Sequence, residues 1–172
     1  MRPFFGVALE LVALAIVAYL ASALVNWYPL SVLVLFIAQI LTTVLIHCPA
    51  HYLVGRLLGI EFSGIRLGRS SAVRLLPTSL ERIGGLLVVF TLKVDPRSKM
   101  SAPPKRLRVM FLAGVVASLG SAITFAIIVS LTGNHVIGLI TWLFAIAYAA
   151  SDILFSPKAG DLMKARAYAT KR

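Results

Sequence analysis

Long apolar runs alternate with short polar breaks along this chain, and only one break is long. A helix crossing a bilayer needs about 20 apolar residues. Four stretches supply them, at about 4–26, 30–54, 107–131 and 136–156. NWYP separates the first pair and TGNH the last pair. The long break, 57–106, holds short runs that read as strands: IRLG (65–68), AVRLL (72–76) and GLLVVFTLKV (85–94), punctuated by glycines and Pro77. VDPRSKMSAPPK (94–105) reads as an irregular linker into the third span. The pattern predicts an all-α polytopic membrane protein with four transmembrane helices and one loop containing short β-strands.

Composition agrees. The chain has 172 residues, which suits one domain, and is 59% hydrophobic, against about 45–50% for soluble domains. A fold this short cannot hide so much apolar surface from water. Cys48 is the only cysteine, which excludes an intrachain disulfide. Asparagine and glutamine are scarce, as in proteins of thermophiles and equally in apolar helices.

The net charge of +11 raises nucleic acid as a partner, and the placement of the charges answers it. Arg2 precedes the first span, eleven basic residues lie between the second span and the start of the third, and five follow the fourth. Neither of the short opposite turns has a Lys or Arg. Basic residues stay cytoplasmic. Both termini and the 57–106 loop are therefore expected in the cytoplasm of a multi-pass cell-membrane protein, with Trp27 and Tyr28 at the outer interface. The charge reads as topology and attraction to anionic lipid; the expected partner is the lipid bilayer, with no nucleic acid.

Candidate chemistry concentrates in LIHCPAHYLVGRLLGI (45–60). His47 and His51, four apart on a helix, share one face and can offer two nitrogens to one zinc ion. About 25 Å of helix separates Leu30 from His47, which puts both rings near the cytoplasmic edge of the hydrocarbon. Two histidines solvated by headgroups would fit the same spacing. Haem fits poorly, because rings one turn apart on one helix cannot take opposite faces of it, and His135 belongs near the outer side. Pro49 withdraws an N–H from the Leu45 carbonyl and predicts a kink. Glu10 is an ionisable residue inside the first span, read as interior-facing. Gly114 with Ser118, and Ala117 with Ser121, allow close helix packing. Gln39, Thr42 and Thr43 are expected to bond between helices, and Glu61 is a remote substitute base.

The run HxxxHYLVGRLLGIEFSGIRLG, followed by the basic start PPKRLRVMFLAGVVAS and by SDILFSPKAGDLMKA (151–165), resembles the site-2 protease family of intramembrane zinc metalloproteases. The likeness covers roughly residues 30–166. It implies a site-2-protease-like three-helix core at 29–166, one added N-terminal helix at 1–28, and a basic tail at 167–172. It also implies zinc as cofactor, with Asp161 as third ligand beside His47 and His51, and Asp152 behind them. Two departures bear on the chemistry. Cys48 stands where the family's H-E-x-x-H carries the glutamate that takes a proton from water, and a thiol is a poor acceptor. The aspartate segment lacks the family's Asn-Pro start and Leu-Asp-Gly close. The expectation is thus a catalytically inactive pseudoprotease that keeps a metal site and binds membrane partners, with no catalytic residue assigned. The alternatives are an accessory subunit of a larger membrane complex, and an active protease with altered chemistry.

Overall fold

The computed structural model describes residues 2–24, 30–69, 88–131 and 135–169. The expected strand at 72–76, residues 85–87, Trp27 and Tyr28 lie outside the described residues. In chain order the elements are α1 (Pro3–Leu24), α2 (Leu30–Leu45), α3 (His47–Leu57), β1 (Phe62–Arg69), β2 (Val88–Val94), α4 (Pro96–Ser101), α5 (Pro104–Leu131), α6 (His135–Ala159) and α7 (Asp161–Ala169). Among the described residues four segments are long and apolar enough to cross a membrane: Pro3–Ala23, Val32–Leu57, Pro104–Leu131 and His135–Leu154. Large apolar side chains such as Phe4, Ile16, Leu33, Val116, Ile128 and Ile146 point outward, as lipid-facing residues do.

α2 and α3 form one span interrupted at Ile46. Pro49, in the first turn of α3, has no N–H to continue the ladder, and a first turn tolerates that loss. The ladder resumes when Ala50 N–H donates to the Ile46 carbonyl at 3.1 Å. α3 closes on a paired turn: Gly59, at φ 77°, donates to Arg56, and Ile60 donates to Gly55. This geometry needs a residue without Cβ after the helix. It sends the chain into β1, which pairs antiparallel with β2 from Gly64↔Lys93 to Arg69↔Val88.

The expected irregular linker contains a short helix. Asp95 caps α4, its side chain accepting from the N–H groups of Arg97 and Ser98, with Pro96 as first helical residue. That is a strong local start signal.

α5 is the central post. Its buried residues Leu107, Met110, Gly114, Ser118, Ala122, Ala126 and Val129 recur every three or four positions and let neighbours approach closely. Gln39 on α2 donates to the carbonyls of Ala122 on α5 and Thr141 on α6, at 3.1 and 2.9 Å. Thr42 and Thr43, expected to bond across helices, instead bond back to the Gln39 carbonyl in their own helix. Two apolar clusters bracket the bundle. Ala21, Leu35, Ala38, Val129 and Ile137 form one, and Ile60, Leu107 and Met110 form the other, beside the β-hairpin.

Candidate metal centre

His47 and His51 leave α3 one turn apart. Asp161 arrives from the far end of the sequence as the first residue of α7, after a break at Gly160. A Cβ at Gly160 would press on Ser156, whose hydroxyl accepts from Leu162 N–H at 3.3 Å. The glycine thus lets the chain turn tightly enough to aim Asp161 inward.

The three residues meet closely. Nε2 of His47 lies 2.8 Å, and Nε2 of His51 3.0 Å, from the same Asp161 oxygen, Oδ2. The two Nε2 atoms are 3.1 Å apart. Asp161 Oδ1 is taken by Lys164 Nζ, which donates at 2.7 Å and lies 5.2 Å from the Phe111 ring centre. That leaves Oδ2 for the rings.

The outer ring nitrogens decide what the inner ones offer. His51 Nδ1 sits 2.7 Å from the Met110 carbonyl, which only accepts, so Nδ1 carries the hydrogen. His47 Nδ1 sits 3.0 Å from Ser118 Oγ. The Ser118 hydroxyl donates its own proton to the Thr43 carbonyl at 2.9 Å, so the ring nitrogen is again the donor. A neutral imidazole protonated at Nδ1 presents a bare lone pair at Nε2. Two lone pairs and a carboxylate oxygen therefore converge with no hydrogen between them. Only a cation, or added protons, relieves that repulsion.

The donor set fits a metal ion. All three ligand atoms lie within 4.8 Å of one another. Donors about 2.1 Å from a tetrahedral ion stand about 3.4 Å apart, so the cluster needs to open by only about half an ångström. Two imidazoles and a carboxylate suit zinc, and hydrogen-bonded outer nitrogens are the usual support for such ligands. When protons occupy the centre instead, burial disfavours the charge on Asp161. Hydrogen bonds from His47 and His51 and the charges of His51 and Lys164 outweigh it and hold the carboxyl well below the usual carboxylate range.

The other candidates fall around this cluster. Gly114 backs the His51 ring so closely that a Cβ there would overlap it. Cys48 is not a converging atom: its buried thiol donates to the Phe90 carbonyl of β2 at 3.0 Å. Asp152 on α6 lies within electrostatic range of His47 and Asp161, and its Oδ2 has no partner among the described residues. Glu10 on α1 is 1% exposed and lies against the Cys48 thiol. Glu61 is exposed before β1. His135 stands exposed at the start of α6, outside the cluster. Sequence reasoning saw Ser118 only as a small packing residue and did not see the Met110 carbonyl or Lys164. The first shares its helix-packing pattern with many serines, and a backbone acceptor leaves no signal in a sequence. No family model, no curated protein and no solved structure matches the chain.

Proposed function

We propose that this chain is a site-2-protease-like membrane protein that holds a zinc ion between His47, His51 and Asp161, at the cytoplasmic edge of its bundle. The observation that carries the reading is the pair of Nε2 lone pairs fixed toward one carboxylate oxygen by outer hydrogen bonds to Met110 and Ser118. A solvated histidine pair has no need of that arrangement. The distribution of Lys and Arg supports the cytoplasmic side.

Bound there, zinc supplies Lewis-acid polarisation of a carbonyl. The chain's own residues do the rest. Ser118 and the Met110 carbonyl orient the rings, and Lys164 holds Asp161 in place. Cys48 pins β2 to the motif helix, so an extended segment laid along the β2 edge would pass the centre. Membrane-embedded polypeptides are accordingly the proposed partners. On the motif helix taken alone the chain is a pseudoprotease, because HCPAH commits both imidazoles to the ion and offers no carboxylate to accept a proton from water.

Elemental analysis of the purified protein tests the reading. About one equivalent of zinc is expected per chain, and His47→Ala, His51→Ala and Asp161→Ala should each lose most of it. A wild-type protein that takes up no zinc when offered it would refute the proposal.

A further inference from the structure

We propose that Glu10, carried by α1, is the proton acceptor of this centre, standing in for the carboxylate absent from position 48. The inference rests on the metal-centre reading above and goes beyond it, because it makes the centre competent for hydrolysis.

Three observations point the same way. Glu10 lies on the buried stripe of α1, with Val7 and Ala21, and is 1% exposed. Among the described residues its Oε2 has no hydrogen-bond partner. A carboxyl placed so deep, with one oxygen unsatisfied, costs stability and adds nothing to an otherwise apolar helix. Its neighbour gives it a use. The Glu10 side chain meets the Cys48 thiol, and that thiol lies within electrostatic range of both Glu10 and Asp161. Cys48 occupies the position between the two histidines from which an H-E-x-x-H carboxylate reaches its substrate. A cysteine side chain ends at Sγ, whereas a glutamate continues through Cδ to its oxygens. The Glu10 carboxyl, interacting with Sγ, comes from another helix to the residue from which that longer side chain would extend. The Cys48 thiol lies 3.0 Å from the Phe90 carbonyl, and among the described residues Oε2 of Glu10 keeps an open acceptor position.

The balance is that of simple amide hydrolysis. The water oxygen bonds to the carbonyl carbon and its proton passes to Glu10. Glu10 returns the proton to the nitrogen as the C–N bond breaks. One water is consumed and nothing is oxidised or reduced.

The first test concerns placement and needs no metal. Since Cys48 is the chain's only cysteine, Glu10→Cys should be joined to it by a bifunctional methanethiosulfonate with a two-carbon spacer, which makes up the length the shorter side chain gives up, a direct disulfide needing the Cβ atoms within about 4.5 Å. Val12→Cys, on the outward side of α1, should not. Absence of the Glu10→Cys cross-link would overturn the proposal. The second test uses acetohydroxamic acid, a zinc ligand whose hydroxyl hydrogen-bonds to a nearby carboxylate, titrated into the zinc-loaded full chain in micelles. Glu10→Gln should keep its zinc yet bind the hydroxamate about tenfold or more weakly. The double variant Glu10→Gln/Cys48→Glu should recover the affinity. Unchanged hydroxamate affinity in Glu10→Gln, or no recovery in the double variant, would sink the acceptor role while leaving the metal centre standing. Loss of zinc from Glu10→Gln would also overturn it, by making Glu10 a ligand. No zinc in the wild type would remove the metal centre and this role together.

Discussion

Ser118→Ala is the most informative single change, because it alters no ligand and yet acts on one. Ser118 is fully buried. Its oxygen accepts from His47 Nδ1 and its proton goes to the Thr43 carbonyl. Removing the hydroxyl leaves Nδ1–H without an acceptor, and the ring then gains by moving its proton to Nε2, where it blocks ligation. Loss of an outer partner of this kind costs about 10–100-fold in metal affinity. The effect can be read as stability. With free zinc at about 100 times the wild-type Kd, the ion adds about 2.7 kcal/mol. Raising Kd by 10–100-fold cuts that to about 1.4–0.4 kcal/mol. The metal-free protein should also lose about 1–2 kcal/mol, for two buried bonds at about 1 kcal/mol each. Comparing denaturation in micelles with and without zinc separates the two effects, with Ser121→Ala on the same helix as control. A Ser118→Ala protein whose zinc Kd stays within about twofold of wild type would refute the tautomer argument.

Gly114→Ala should abolish zinc retention while leaving the helices formed, since its Cβ would overlap the His51 ring; elemental analysis alongside circular dichroism reads both. Zinc affinity should fall on acidification, because protons compete for the same Nε2 lone pairs that would hold the ion. Zinc titration across a pH series measures the competition, and an affinity that does not fall with acid would contradict the lone-pair reading. Gln39→Leu removes two bonds that tie α2 to α5 and α6. It should destabilise the bundle by about 0.6–1.7 kcal/mol in a micelle unfolding titration, with zinc affinity in the folded state unchanged.

The spans were legible because hydrophobic length is a direct readout of bilayer thickness, and all four segments fall within a few residues of where the apolar runs place them. The histidine pair was legible from spacing. Asp161 was reached only through a resemblance, since nothing local marks an aspartate more than a hundred positions away as a neighbour. α4 could have been read from Asp95 and Pro96, a local capping signal inside a segment whose prolines give it the look of an irregular linker. The meeting of Glu10 with Cys48 was beyond reach. Glu10 marks which face of α1 turns inward, but the rest of the helix is apolar and its sequence does not reveal what that face meets. Ser118 shows the same limit from another direction: one residue type serves both close packing and ring orientation, and only coordinates tell them apart.

Asp161 lies 114 positions after His47, and the timing of synthesis follows from that separation. A ribosome adding about 5–20 residues per second needs about 6–23 s to travel between them. Throughout that interval the histidines are already made while their carboxylate does not yet exist. On the proposed reading, full affinity for a metal ion would therefore wait until the last helix has joined the bundle, which would spare half-built chains from capturing metal and make ion loading a report that assembly is finished.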